Sequence, residues 1–329
     1  MPFWAWMEAC LYDPDEGYYM RPGRKTGAGD DADFATSPTL HPFLAQCVAK
    51  EVVEAWEALG RPAGFAVYEF GGGEGHLARD ALAWLDAHSD LSPTWHHVER
   101  SPMHRAAQED GRVVHVEGLP RGAVGLVVAH EFLDALPFSW LEARKGDWAE
   151  VHVMSAGDRF EETLSLPCRE AIEAAPRGTF PEGQRVAAMW AARDWVRRVG
   201  RELAAGRVLV VDYGGRDVWR RGPDGTVRTF RGQQDAGSPF EDPGDKDITA
   251  SVDFPLVQAW AEGAGLEVLW EESQEAFLVR HGALEALNAQ DRDSLEGASS
   301  YLRLRQMIIP HAGGMGAAFR VQCLQKRAG

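Results

Sequence analysis

The segment "VYEFGGGEGHLARD", residues 67–80, constrains the fold of this chain more than any other stretch. The apolar run at 65–70 predicts a buried strand, and apolar residues then repeat at helical spacing through "HLARDALAWLDAH", residues 76–88. A strand, a glycine turn and a helix in this order open a βαβ unit. Because open α/β sheets bind ligands at the carboxyl ends of their strands, we expect a ligand site at residues 69–75.

Further apolar runs extend this unit into a sheet. Short strands are predicted at 94–99, 112–116, 125–130, 207–215, 265–273 and 317–325. They alternate with polar or helical stretches, among them an amphipathic helix around 186–203. The alternation among the first of these strands predicts a parallel, doubly wound sheet, and seven strands would complete an open α/β sheet.

Two segments lie outside the strand and helix alternation. Residues 1–60 precede the first strand and are predicted as an N-terminal cap segment, with a glycine-rich loop at 21–34. Residues 143–203 begin in a predicted hairpin around Lys145-Gly146-Asp147 and are predicted as an inserted cap segment. The ligand-binding core is then predicted in two parts, 61–142 and 204–329.

Charge excludes nucleic acid as a partner. The chain of 329 residues carries 34 Lys and Arg against 50 Asp and Glu, a formal net charge of -16. Nonspecific binding to a phosphate backbone depends on clustered cations, which such a chain lacks.

Metal and membrane binding are not expected either. The four cysteines form no C-x-x-C pair, and adjacent His96 and His97 would point to opposite faces of one strand. The apolar N-terminus has no basic region and reaches an acid at Glu8, and no segment approaches the roughly 18 apolar residues of a membrane span. We therefore predict a cytoplasmic protein without a metal site or a membrane span.

The spacing of the glycines distinguishes between several classes of ligand that this turn could bind. A dinucleotide fingerprint would need glycine where His76 stands, and the nearest approach to a phosphate-binding P-loop, at 17–26, has no strand before it. No G-x-S-x-G elbow supports a hydrolase. The pattern E-x-G-x-G-x-G is instead similar to motif one of class I S-adenosylmethionine-dependent methyltransferases.

A second acid completes the predicted cofactor site. Glu99 ends the second predicted strand, where a carboxylate accepts hydrogen bonds from ribose hydroxyls. The alternative is that the glycines form only a flexible turn and that Glu99 is a solvated carboxylate. The residues predicted to bind the cofactor are Glu69, Gly71, Gly73, Gly75, Glu99 and His130.

Longer strings resemble one family, the MidA-like methyltransferases, whose mitochondrial member is an assembly factor for respiratory complex I. The strings are "MEACLYDPDEGYY" at 7–19, "DFATSP" at 33–38, "YEFGGGEG" at 68–75, "VERSP" at 98–102, "HEFLDALPF" at 130–138, "VVDYGG" at 210–215, "GTVRTF" at 225–230, "DITASVDF" at 247–254 and "GGMGAAFRV" at 313–321. The resemblance covers nearly the whole chain. It implies a class I fold with an added lobe, S-adenosylmethionine as cofactor, and an N-terminal piece with Tyr12, Tyr18 and Tyr19 folded over the cleft.

The same resemblance implies an acceptor. The mitochondrial member methylates an arginine of a complex I core subunit, so an arginine of a protein partner is the implied substrate. Departures from the family occur at His130, where Asn is usual, and at Gln233-Gln234 and Ser251, where His is usual. They leave two alternatives open, a catalytically weak assembly or interaction protein and a small-molecule O- or N-methyltransferase. A homodimer is a further open alternative.

The predicted catalytic residues are acids. A guanidinium is a cationic, poor nucleophile, so a carboxylate must orient it and help to remove a proton. Glu131 is predicted to bind the acceptor nitrogen, and Asp134 to share that role, to orient the loop, or only to cap the following turn. Asp212 and Tyr213 end the fifth strand and are expected to face the same cleft, although Asp212 could equally be a buried structural acid.

Overall fold

The computed structural model describes residues 1–21, 37–106, 111–222, 225–232, 234–310 and 315–328. The glycine-rich loop predicted at 21–34 lies outside these ranges except for Arg21, and so does Gln233. None of the described helices is long and apolar enough to cross a bilayer.

The helices are α1 (Phe3–Tyr12), α2 (Ser37–Leu40), α3 (Phe43–Ala58), α4 (His76–His88), α5 (Pro102–Ala106), α6 (Arg169–Ala174), α7 (Trp190–Glu202), α8 (Phe254–Gly263), α9 (Gln274–Arg280), α10 (Ala283–Asn288) and α11 (Leu295–Ile308). A 3-10 helix spans Val218–Arg221.

The strands are β1 (Ala66–Phe70), β2 (Thr94–Val98), β3 (Val113–His115), β4 (Ala123–His130), β5 (Ser139–Arg144), β6 (Asp147–Ala156), β7 (Arg159–Ser165), β8 (Arg185–Ala188), β9 (Leu203–Gly215), β10 (Val227–Arg231), β11 (Gln234–Asp235), β12 (Asp247–Ala250), β13 (Val252–Asp253), β14 (Glu267–Ser273) and β15 (Phe319–Lys326).

The central sheet has the strand order β14-β15-β9-β4-β1-β2-β3, and β13 pairs with the end of β9. All seven predicted strands belong to this sheet, which confirms the α/β class. The predicted parallel, doubly wound arrangement holds for β9, β4, β1, β2 and β3, whereas β15 runs antiparallel to both β9 and β14. Apolar periodicity is the same in either strand direction, and here the direction depends on how α9 to α11 return the chain.

The sheet is covered on both faces. All five residues of β1 are buried, and they alternate between two apolar clusters, with Tyr68 and Phe70 in one and Val67 in the other. Residues of α3 and α4 build one cluster, while α7 and α8 contribute to the other. Burial on both faces explains why the central strands are continuously apolar in sequence.

The inserted region forms an antiparallel sheet of its own in the order β7-β6-β5-β8. The helix predicted around 186–203 was too long at its start, because residues 185–188 are β8, paired with β5, and α7 begins only at Trp190. Helix α1 packs on this sheet, with the ring of Phe3 5.1 Å from that of Trp140. A third sheet, β11-β10-β12, lies after β9 in the chain. The domain boundaries given above remain predictions.

Candidate active site

A cavity of about 390 Å³ lies at the carboxyl ends of β1, β2 and β4. The glycine turn after β1, Glu99 after β2 and the loop after β4 form its wall on the sheet side. Tyr12, Tyr19, Trp195 and Asp247 contribute from other segments. This is the place where open α/β sheets bind their ligands.

The glycines of the turn are required for two different reasons. Gly71, Gly73 and Gly75 have φ angles of 70°, 55° and 77°, in the left-handed region that favours glycine. At Gly72 the reason is space, because a Cβ would lie 1.9 Å from Nε2 of His97 and 2.7 Å from Cδ of Glu69. The turn therefore rests directly on the sheet and leaves a cradle that a side chain would fill.

Glu99 is fixed beside this turn. Its Oε2 accepts a hydrogen bond from the backbone N–H of Gly73 at 3.1 Å, and its Oε1 accepts one from that of Ser101 at 2.8 Å. The structure thus brings the predicted acid of β2 and the glycine turn of β1 together at one wall. This arrangement suits a ligand that carries hydroxyl groups next to a compact backbone turn.

Glu69 lies beneath the turn. Its side chain is 2% exposed and accepts a hydrogen bond from Nε1 of Trp95 at 2.7 Å. Burial, and then the nearby charge of Glu99, raises the pKa of Glu69 to about 7. The geometry favours a role for Glu69 in supporting the turn from below.

His130 lines the cavity as the last residue of β4. Burial lowers its pKa to about 3, so the imidazole is neutral near pH 7. Its Nε2 lies 3.4 Å from Oε1 of Glu131, and neither atom has a hydrogen-bond partner within the described part of the chain. His130 therefore offers an uncharged polar edge beside the acid.

Glu131 lines the cavity in an uncommon backbone conformation. Its φ is 47°, and its N–H donates to the carbonyl of Val211 at 2.9 Å, which ties the residue to β9. Burial and the charge of Asp134 raise its pKa well above the usual range, and a backbone N–H bond from Ser37 opposes this shift. A carboxyl in this state is a ready proton acceptor once a cation enters.

Asp212 lies under the loop that carries Glu131 and Asp134. It is fully buried, and its Oδ2 accepts the backbone N–H groups of Leu133 at 3.0 Å and Asp134 at 3.3 Å. Burial and the charges of Asp134 and Glu131 raise its pKa well above the usual range. Asp212 does not line the cavity, so the geometry favours positioning of the loop over contact with a substrate.

Asp134 lines the cavity and is almost fully buried. Burial raises its pKa to about 6, and a hydrogen bond from Tyr213 opposes that shift. Tyr213 itself does not line the cavity. Its hydroxyl is also hydrogen-bonded to the Thr249 hydroxyl, and its ring packs 5.8 Å from that of Phe319. The ring of Tyr213, expected from the sequence to face the cleft, thus packs in the core.

The N-terminal segment covers the cavity. The hydroxyl of Tyr12 donates to the carbonyl of Ala135 at 3.1 Å, and Arg100 lies 4.2 Å above the Tyr12 ring while donating to Glu8 at 2.6 Å. These contacts join α1 to the loops after β2 and β4. The N-terminal piece therefore acts as a roof, in agreement with what the family resemblance implied.

Two features of the wall were missed in the sequence. Asp247, the first residue of β12, reaches the cavity from the small third sheet, and only its place in "DITASVDF" could have pointed to it. Trp195 of α7 forms an apolar wall with Phe70 and Phe132, with ring distances of 5.4 and 5.5 Å. Helical periodicity could assign Trp195 only to a buried face.

The remaining departures from the family lie elsewhere. Ser251 is buried beside a separate small pocket, and Gln234 is exposed on β11. Neither lines the cavity, whereas His130 does. Among the residues that the structure describes, no three His, Cys, Asp or Glu side chains are grouped to hold a metal ion.

We expect Asp134→Asn to flatten the pH dependence of stability. The folded-state pKa of Asp134, about 6, exceeds the ordinary value of 3.8. The folded protein thus binds this proton more tightly than the unfolded chain, and its free energy of unfolding falls as pH rises from about 4 to about 6. In Asp134→Asn, the decrease in the free energy of unfolding between pH 4 and pH 7 should be smaller than in wild type by about 1–3 kcal/mol, measured by urea unfolding at the two pH values. Unchanged pH dependence in Asp134→Asn, with exposed Asp242→Asn as control, contradicts the prediction.

The sheet order, the glycine turn after β1 and the acid after β2 define a class I methyltransferase that uses S-adenosylmethionine. Residues 47–272 match the protein family described as "Putative S-adenosyl-L-methionine-dependent methyltransferase". This match covers more than half of the chain, and the chain therefore belongs to that family.

Individual relatives agree with this assignment. The Drosophila melanogaster protein named "Protein arginine methyltransferase NDUFAF7 homolog, mitochondrial" is 30% identical over 97% of this chain and 80% of its own length. The human protein arginine methyltransferase NDUFAF7 is 25% identical over 84% of this chain and 69% of its own length. A COG1565 superfamily member from Burkholderia thailandensis, solved with S-adenosyl-homocysteine, has a TM-score of 0.88 at 31% identity, covering 100% of this chain and 88% of that one. The chain is an S-adenosylmethionine-dependent methyltransferase, which confirms the predicted cofactor.

Proposed function

We propose that the chain is a protein arginine N-methyltransferase acting on a partner protein, a complex I type subunit being the implied class. The observation that carries this proposal is the pair of carboxylates, partly buried Glu131 and buried Asp134, at the wall of the cavity beside the glycine turn. A planar guanidinium pairs with carboxylates through several parallel N–H bonds. Relatives named as arginine methyltransferases support the same acceptor.

The cofactor would occupy the wall formed by β1 and β2. The turn at Gly71, Gly73 and Gly75 would hold its amino-acid part, and the fixed carboxylate of Glu99 would accept hydrogen bonds from its ribose. Bound S-adenosylmethionine supplies the methyl group, whose carbon–sulfur bond breaks as the new nitrogen–carbon bond forms. Glu69 would support the turn, and the uncharged His130 would line the cavity without adding positive charge.

The acids would handle the acceptor. A guanidinium that gains a methyl group must lose one N–H proton to stay singly charged, and Glu131 would accept that proton. A carboxyl with a raised pKa accepts a proton more readily near neutral pH than an exposed one. Asp134 would share the cation, and Asp212 would hold the loop in place. The cytoplasmic location and a homodimer remain predictions.

Identification of the methylated atom tests this function. The purified protein is incubated with S-adenosylmethionine carrying a CD3 methyl group and with an extract from source cells that lack the gene. The proteins are then hydrolysed in acid, and the labelled amino acids are identified by mass spectrometry. We expect CD3-labelled methylarginine in the protein fraction, and less of it with extract from cells that retain the gene.

Other results would assign another function. Label confined to the small-molecule fraction would favour the O- or N-methyltransferase alternative. A protein that binds S-adenosylhomocysteine in a calorimeter but labels nothing would favour the assembly-protein alternative. Label in an amino acid other than arginine would contradict the proposed acceptor while leaving methyl transfer intact.

A further inference from the structure

Asp247 is an enclosed acid at the cavity that the proposed acceptor site does not yet use. It begins β12, in the small third sheet, whereas Glu131 and Asp134 follow β4 of the central sheet. Its side chain is 5% exposed, and it lines the same cavity as the other two acids. Two distant chain segments therefore bring three carboxyl groups to one enclosed space.

Within the ranges that the structure describes, these three acids form no ion pair with a Lys or Arg side chain. Lys246, the neighbour of Asp247, instead donates to the carbonyl of Ser238 at 3.1 Å. Burial, and then the charge of Asp134, raises the pKa of Asp247 to about 7. Enclosed carboxylates without a cation are unfavourable, and a cationic ligand would relieve their repulsion.

Tyr19 holds Asp247 in place. Its hydroxyl donates to Oδ1 of Asp247 at 2.6 Å, and its ring packs 5.5 Å from that of Tyr12 in the N-terminal roof. This hydrogen bond lowers the pKa of Asp247 and so opposes the effect of burial. A carboxylate can accept several hydrogen bonds, which leaves Asp247 able to accept a further donor from the cavity.

We infer that Asp247 is a third acceptor-binding carboxylate and that Tyr19 is the positioning residue that holds its carboxyl group in place. The inference rests on the proposed function, because its ligand is the guanidinium of the acceptor. That group offers five N–H donors in one plane, more than a single carboxylate accepts. Asp247 would thus select an extended planar cation over a lysine ammonium, which offers three donors around one nitrogen.

The test measures the initial rate of CD3-methylarginine formation between pH 6 and pH 9. The extract that supplies the acceptor is kept limiting, so that the rate reports kcat/KM. Asp247→Asn should lower this rate about 10- to 100-fold, the usual effect of losing a hydrogen bond to a charged group. Tyr19→Phe should lower it less and move the acid limb of the pH profile to higher pH, because the carboxylate loses a stabilising donor. Binding of S-adenosylhomocysteine, measured by calorimetry, should be unchanged in both variants.

Other titratable groups lie near Asp247 and also affect the pH dependence of the methylation rate. They are Tyr12 and Tyr19 from the N-terminal roof, Glu131 and Asp134 from the loop after β4, and Tyr213 from β9. The double variant Tyr19→Phe with Asp247→Asn separates Asp247 from this set. If the shift of the acid limb originates at Asp247, Tyr19→Phe should produce no shift once Asp247 is replaced.

Several outcomes would overturn the inference. Equal rates for wild type and Asp247→Asn would remove Asp247 from the acceptor site. Equal losses in Asp247→Asn, Tyr19→Phe and the double variant, with no shift of the acid limb, would show that Asp247 only anchors Tyr19. Loss of S-adenosylhomocysteine binding in Asp247→Asn would mean a structural defect and would also count against it. Exposed Asp242→Asn, where φ is 48° and Asn is well tolerated, is the matched control and should behave as wild type.

The proposed function can fail separately. A wild-type protein that forms no methylarginine contradicts both the proposed function and this inference. A wild-type protein that forms it, with Asp247→Asn equally active, contradicts the inference alone.

Discussion

Glu131→Gln is expected to lower the rate of methyl transfer about 10²- to 10⁴-fold, the usual effect of losing a general base. The amide keeps the size of the side chain but can neither carry the negative charge nor take up the acceptor proton. The glycine turn and Glu99 are unchanged, so binding of S-adenosylhomocysteine should stay close to that of wild type. Single-turnover formation of CD3-methylated product and calorimetric titration measure the two properties separately.

A matched control is Glu262→Gln on the exposed side of α8, which should leave both properties unchanged. Undiminished transfer by Glu131→Gln would remove Glu131 from the chemistry. If Glu131→Gln instead lost binding of S-adenosylhomocysteine, the residue would belong to the cofactor site and not to the acceptor site.

Gly72→Ala is expected to weaken S-adenosylhomocysteine binding about 10- to 100-fold and to lower the free energy of unfolding by about 1–3 kcal/mol. The added Cβ would lie 1.9 Å from Nε2 of His97, a fully buried side chain on β2. His97 has no room to withdraw, so the turn must rise into the space proposed for the cofactor. Calorimetry and urea unfolding measure the two effects.

Two other glycine variants serve as comparisons for Gly72→Ala. Gly64→Ala meets nothing within 4 Å and should bind as wild type. Gly73→Ala also meets nothing within 4 Å, but its φ is 55° and it lines the cavity, so backbone strain of about 1–2 kcal/mol and a methyl group in the proposed cofactor space should both weaken binding. Wild-type affinity in Gly72→Ala would show that the turn does not rest on His97 when the cofactor binds.

Local sequence signals predicted much of the core. The strand over β1, the glycine turn and α4 were predicted within a residue of their bounds, because alternation, glycine and helical periodicity are properties of neighbouring residues. The start of α7 was placed too early, since the short run at 185–188 reads equally well as helix until it pairs with β5. The direction of β15 has no local signature at all.

Among the acids of the site, some positions could likewise be predicted from the sequence and others could not. Glu99 and Glu131 could be selected from sequence because Glu99 is the last residue of one predicted strand and Glu131 directly follows another. Asp212 lies near the end of the fifth predicted strand, yet the structure places it beneath the loop, where backbone N–H groups donate to both of its oxygens. Whether an acid at a strand end faces solvent, ligand or a neighbouring loop depends on how that loop folds back, and the strand pattern does not contain this information.

The sequence by itself determined the class of sheet, the cofactor turn and the family, since each is written in contiguous residues whose order is unaffected by folding. Tertiary structure alone decided which side chains share the cavity. Tyr19, Glu131, Trp195 and Asp247 come from four segments far apart in the chain, and they meet because the roof, the sheet and the third sheet pack around one space. Packing between distant segments depends on strand order and burial across the whole molecule, which no single stretch of sequence specifies.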